Sequence, residues 1–317
     1  MRAVFLDLQT FNRDISLAKV TEHVDSLVTF PLTSPEQIVE RCLDAEIIIT
    51  NKVVLTQKVI AQLPQLKLIC IAATGTNNVD ITAAKMANIA VTNVSGYAGN
   101  SIAQYVFSQL LDYFGQTSHY QQYTEQGLWQ QSATFCHQGN TITELANKTI
   151  GIIGYGDLGE SVAKVATAFN MRTLIAERQH STNIRENRFS FEYVIENADI
   201  LSLHCPQTAE TENLIDKTIL SKMKRSAVLI NTARGAIVNN QDLHDALKNN
   251  DIAYAILDVL EQEPPPPEHV LLNSKFNNLK ITPHIAWASI EAQQRLLDKL
   301  AENISSYGKN ERLNRVD

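Results

Sequence analysis

Residues 151–160 read "GIIGYGDLGE", and they decide between a nucleotide-binding α/β fold and a plain strand-to-helix turn. The glycines at 154, 156 and 159 match G-x-G-x-x-G. That spacing is informative only when an apolar strand precedes it, a helix follows, and an acidic residue stands about 20 positions on. "KTIGIIG" (148–154) supplies the strand, and "DLGESVAKVATAFN" (157–170) puts Leu158, Val162, Val165, Ala166 and Phe169 at helical spacing. "RTLIAE" (172–177) is the next strand and ends on Glu177. In such a unit Gly154 permits the tight turn, Gly156 lets the backbone approach a pyrophosphate, and Gly159 lets the helix pack on the strand. The phosphates then meet unpaired N–H groups at the helix N-terminus. Glu177 is placed to accept hydrogen bonds from the adenosine ribose hydroxyls and to repel a 2′-phosphate, which favours NAD over NADP. Arg178 beside it is the alternative, a cation that would meet that phosphate.

Outward from this unit the same alternation of strand and helix continues. "DILSLHC" (199–205), "AVLINT" (227–232), "IAYAILDV" (252–259) and "LKIT" (279–282) complete six strands of a doubly wound sheet. Before it, "AVFLDL" (3–8), "SLVTF" (26–30), "EIIIT" (46–50), "LKLICIA" (66–72) and "IAVTNV" (89–94) describe a smaller α/β domain. Within that domain a helix over 35–44 is expected to turn Ile38, Val39 and Leu43 inward. A long helix at 101–114 opens the second domain. Residues 115–147 show no period, and so long an irregular segment in a compact domain points to a functional or contact arm. The last helix, 289–306, is polar enough for the surface and is expected to return to the first domain.

The bulk properties agree with two soluble domains: 317 residues, 44% hydrophobic and 19% charged. A net charge of −7 speaks against nucleic acid or acidic lipid as a partner. Cys42, Cys70, Cys136 and Cys205 show no paired spacing, so reduced, half-buried thiols in a cytoplasmic protein are expected, with no metal. Asp7 interrupts the N-terminal apolar run, and no stretch reaches the ~20 apolar residues of a membrane span.

Three polar residues fall just past strand ends, where open α/β sheets bind ligands. Arg234 in "LINTARGAIV" can grip a carboxylate bidentately. Glu263 follows "ILDVLEQE". His284 in "ITPHIAW" supplies an imidazole, the side-chain type suited to donating a proton to a carbonyl.

The runs "LHCPQTAETENLID", "LINTARGAIVNNQDLHDAL", "AILDVLEQEPPPP" and "ITPHIAWAS" resemble the D-isomer-specific 2-hydroxyacid dehydrogenase family. With Trp287 after His-Ile-Ala, they are most similar to its glycerate dehydrogenase (hydroxypyruvate reductase) members. The resemblance covers nearly the whole chain. It implies a Rossmann domain (100–289) inserted in a flavodoxin-like substrate domain (1–99 plus 290–317), working as a homodimer with NAD on a small 2-hydroxy or 2-keto acid. It further implies that Arg234 binds the substrate, that Glu263 pairs with His284, and that His284 is the acid in reduction and the base in oxidation. Asp258 would receive the nicotinamide carboxamide, with Asp157, Leu158, Thr232, Ala233, Arg234 and the loop from His284 to Trp287 also at cofactor positions. In the first domain, Thr74 and Gly75 of "AATGTNNVD" (72–80) would hold the carboxylate through backbone N–H groups, near Lys52. The chain departs from the family pattern at Gln104, where glutamate is common, and at Asn239 or Asn240, where an acid is common and a helix cap is the expected consequence. Two alternatives stay open: a dehydrogenase for another small 2-keto acid, and an NAD-sensing binding protein of the corepressor kind.

Overall fold

The computed structural model describes residues 1–317. Contacts divide it into two compact units, Met1–Ala98 with Trp287–Asp317, and Gly99–Ala286.

The first unit is built on a five-stranded sheet of β1 (Arg2–Phe5), β2 (Ser26–Thr29), β3 (Ile47–Thr50), β4 (Leu68–Ile71) and β5 (Ala90–Thr92). All pairings are parallel and the order is β2-β1-β3-β4-β5, the flavodoxin-like arrangement. Strands β3 and β4 are buried on both faces, which explains their unbroken apolar runs "IIIT" and "LICI". The helix read over 35–44 is shorter and turns differently. A 3-10 turn at Pro35–Gln37, closed by a Ser34–Gln37 capping box, leads into an α-helix at Ile38–Cys42. Ile38 and Cys42 face the core at i and i+4, and Leu43 is exposed, contrary to the periodic reading. The helix Ile290–Gly308 belongs to this unit and is more amphipathic than its polar composition suggests. One stripe, including Leu296, Leu297, Leu300 and Ile304, is fully buried.

The second unit carries β6 (Thr149–Ile153), β7 (Arg172–Ile175), β8 (Ile200–Leu203), β9 (Val228–Asn231), β10 (Tyr254–Leu257) and β11 (Leu279–Ile281). They form a parallel sheet in the order β11-β10-β9-β8-β6-β7. One further element was not legible as a strand. Phe189 makes a single parallel bridge to Ala176, its N–H donating to Ile175 O at 2.9 Å and its carbonyl accepting from Glu177 N at 2.8 Å. This bridge stands where the third strand of the usual 3-2-1-4-5-6 order lies. The charged, non-alternating stretch before it gives no strand more than one residue long.

Residues 115–147 are less irregular than their sequence implies. A helix spans Thr117–Glu125 and buries no residue, so its polar circumference leaves no period to read. Cys42 and Cys70 are fully buried, Cys205 is buried beside a cavity, and only Cys136 is half-buried. No helix is long and apolar enough to cross a membrane.

Candidate active site

Of the three strand-end residues of the second unit, Glu263 and His284 meet, and Arg234 sits on a turn packed against the loop that carries Glu263. After β9, the buried Asn231 folds the turn: its Nδ2 donates to Arg234 O at 2.8 Å and its Oδ1 accepts from Ala233 N at 3.0 Å. Arg234 is held extended, with Nη1 donating to Ala233 O at 2.6 Å. Gly235 then lies so close to the loop after β10 that an added Cβ would sit 1.8 Å from Leu260 C and 2.2 Å from Glu261 N. Only glycine permits this approach, and it sets the Arg234 turn against the segment that leads into Glu263. The Glu263 carboxylate accepts from Leu260 N at 3.1 Å and pairs with His284 Nδ1 at 2.7 Å. Nε2 is therefore the other, uncommitted nitrogen of that contact.

His284 adopts a left-handed backbone conformation (φ 54°), uncommon for a residue with a side chain and costing about 1–3 kcal/mol. Its N–H donates to Asp258 O at 2.8 Å and Thr282 O at 3.0 Å, which keeps the turn in place. Asp258, almost wholly buried, reinforces it: Oδ1 accepts from Ile285 N at 2.9 Å and Oδ2 from Ala286 N at 2.8 Å. Thr282 Oγ1 donates to Asp258 Oδ1 at 2.6 Å, so the 2.6 Å contact between Tyr105 and Thr282 has the phenol as donor. Burial pushes the Asp258 carboxyl up and the Tyr105 phenol to about 12. Asp258 thus holds the His284 loop in addition to any contact with a ligand.

At the other half of the same sheet edge, the ends of β6, β7 and β8 border a cavity of about 960 Å³ lined by Gly154, Gly156, Glu177, Arg178, Arg185 and Cys205 among others. Its glycines differ in what they tolerate. Gly154 (φ 91°) has Cys205 N at 2.4 Å from the position of a Cβ, and Gly159 has Gly154 O at 2.3 Å. Gly156 has nothing within 4 Å. Two of the glycines are demanded by packing, and the third opens onto the cavity. Asp157 and Leu158 stand in the first turn of the helix Asp157–Ala168, whose leading N–H groups have no acceptor within the helix. Thr232 Oγ1, past β9, is buried without a hydrogen-bond partner. The open Gly156, the free helix N-terminus and the orphaned hydroxyl all fit a dinucleotide along this edge. His204 lines the cavity; burial pushes it down to about 4, so it stays neutral, its Nε2 2.8 Å from Ser202 Oγ. Glu177 is only 4% exposed, and the Arg185 guanidinium holds its carboxyl down to about 2.

In the first unit the residues singled out from sequence also lie at strand ends. Lys52 follows β3, and Thr74 and Gly75 follow β4. The N–H groups of Thr74 and Gly75 make no hydrogen bond within the protein, and Thr74 is fixed instead through Oγ1 donating to Val94 O and its carbonyl accepting from Asn93 Nδ2. Trp287 is in this unit, edge-on to Phe11 at 5.7 Å and Tyr97 at 6.4 Å. Gln104 is exposed on the helix Gly99–Gly115, and Asn239 caps the helix Asn240–Asn249 by accepting from Asp242 N.

Several residues escaped the sequence reading. Asp7, buried at the end of β1, accepts from the N–H groups of Asn51, Lys52 and Val53 and so shapes the Lys52 loop. Its place in "LDL" is a signal, since a carboxylate inside an apolar run needs buried donors. Asn231 in "INTARG", buried where it folds the turn, carried a similar one. Arg185, the partner of Glu177, had none.

Residues 107–286 match the NAD-binding domain of the D-isomer-specific 2-hydroxyacid dehydrogenases. The glycerate dehydrogenase of Methylorubrum extorquens is 39% identical over 96% of this chain and 96% of its own length. The hydroxypyruvate reductase of Blautia hydrogenotrophica is 33% identical over 90% of this chain and 89% of its own. Among solved structures, an acyclic imino acid reductase in complex with NADPH and D-Arg superposes with a TM-score of 0.86 at 28% identity, all of both chains being covered. With that domain matched over more than half of the chain, and relatives 39% and 33% identical along nearly all of it, the chain belongs to the D-isomer-specific 2-hydroxyacid dehydrogenase family.

Proposed function

We propose that this oxidoreductase reduces hydroxypyruvate and glyoxylate to D-glycerate and glycolate with NADH. The reading is carried by the 2.7 Å contact between His284 Nδ1 and the Glu263 carboxylate, on a sheet edge that also bears the glycine turn. When bound, the nicotinamide supplies the hydride. Arg234 grips the substrate carboxylate with its planar fork of donors and polarises the neighbouring carbonyl. His284 gives the proton on Nε2 to the carbonyl oxygen in reduction and takes the hydroxyl proton in oxidation, while Glu263 stabilises the charged ring and fixes its plane. Asp258 receives the carboxamide of the cofactor and Thr232, Ala233, Asp157 and Leu158 line its path; Glu177 receives the adenosine ribose once Arg185 leaves its carboxylate, the reading that assigns NADH. Gly99–Ala286 serves as the nucleotide domain. The other unit serves as the substrate domain, with the N–H groups of Thr74 and Gly75, and Lys52, binding the carboxylate. Trp287 shapes substrate choice.

The chain acts as a homodimer through its 115–147 arm, where Phe135 is 90% exposed and Trp129 and Ile142 are also bare. Its free thiols suit the cytoplasm. The relatives carry enzyme names, which favours catalysis over a sensor role. Absorbance at the NADH band with a panel of 2-keto acids tests this reading. Fastest oxidation with hydroxypyruvate or glyoxylate is expected; a faster different keto acid would move the substrate, and turnover of none would return the sensor reading.

A further inference from the structure

The Glu177 carboxylate is already full. Oε1 accepts from Arg178 N at 3.0 Å and Arg185 Nη2 at 2.5 Å; Oε2 accepts from Arg185 Nε at 2.7 Å and Arg185 N at 3.4 Å. A carboxylate offers about four lone-pair directions, so no acceptor is left for a ribose diol while Arg185 stays in place. The clasp is bidentate, the strongest geometry an arginine makes. Yet the Arg185 side chain is 55% exposed and rides on the stretch between β7 and the single bridge at Phe189, so it can leave. Around it the cavity wall presents Arg178 and Arg188 as well, with Glu210 as the other carboxylate.

We propose that Arg185 is an internal competitor for the ribose site, which weakens NADH binding and admits NADPH. Clasped on Glu177, it cancels the carboxylate that would repel a 2′-phosphate and brings a third guanidinium to the wall that would meet one. To bind NADH at Glu177, the two ribose hydroxyls must displace Arg185 and forfeit its bidentate pair. To bind NADPH, the clasp persists and Arg178, Arg185 and Arg188 face the phosphate. Cofactor choice is then set by a residue eight positions beyond the acidic one, in a segment with no regular pattern. This inference rests on the assignment of the cavity to the adenosine half of the cofactor.

Calorimetric titration of the full-length protein with NADH, NADPH, 5′-AMP and 2′,5′-ADP tests it without reference to turnover. The wild type is expected to bind NADH and NADPH within about tenfold of each other. Arg185→Gln should tighten NADH and 5′-AMP by about tenfold and weaken NADPH and 2′,5′-ADP by at least as much, the value of one charge-assisted contact in each direction. Glu177→Gln, which frees Arg185, should weaken NADH while holding or tightening NADPH. Equal loosening of both dinucleotides in Arg185→Gln would make the clasp merely structural and overturn the proposal, as would no change in either. Failure of the wild type to bind either dinucleotide would instead remove the cofactor assignment, and the proposal with it.

Discussion

Past β9, β10 and β11 Asn231, Asp258 and Glu263 are committed to fixing loops, whereas past β6, β7 and β8 polar side chains border an open cavity. In the first region Asn231, Asp258 and Glu263 each accept from backbone N–H groups, and Gly235 allows two loops to touch. In the second, Gly156 meets nothing and Glu177 pairs with the long, half-exposed side chain of Arg185. The difference follows from the tasks. Proton transfer needs a donor fixed to within a fraction of an ångström, so its loops are over-determined. Cofactor recognition needs room and charge, and charge on long side chains is adjustable.

That contrast can be broken at graded points. Glu263→Gln should lower kcat by about tenfold to a hundredfold with KM little changed, because an amide holds a protonated imidazole less well than a carboxylate does. An unchanged kcat would mean that the 2.7 Å pair is not used in the reaction. The cavity glycines should separate cleanly. Gly154→Ala, at φ 91° against Cys205 backbone, should lose about 3 kcal/mol of stability by chemical denaturation. Gly156→Ala should change stability by less than about 1 kcal/mol and yet weaken NADH binding about tenfold or more. Equal stability losses in the two would show that Gly156 serves packing. For Arg185→Gln stability should hold, and only the balance of cofactors moves, by about tenfold for each dinucleotide in opposite directions.

Legibility in the sequence follows the same division. The central strands of both sheets are readable because parallel strands buried on two faces appear as apolar runs, and the glycine turn is readable because its strand, helix and acidic residue lie nearby in the chain. Arg234, Glu263 and His284 were readable as strand-end residues, though not the agents that bind them together. The contact of Gly235 with Leu260, and the acceptance of the 51–53 amides by Asp7, join residues far apart in the chain, and no local period encodes them. Leu43 was misplaced because a 3-10 turn rotates the short helix after it and gives the inward position to Cys42. Phe189 stays hidden as a strand because its single bridge depends on the neighbouring edge of β7 rather than on its own sequence.

The account stands most directly on His284. In His284→Ala, stopped-flow measurement of hydroxypyruvate reduction should show kcat lower by about a thousandfold, while NADH titrated into the same protein keeps its affinity within about twofold. Turnover near the wild-type rate, or a collapse of NADH binding as the main defect, would contradict the assignment of this residue as the proton donor.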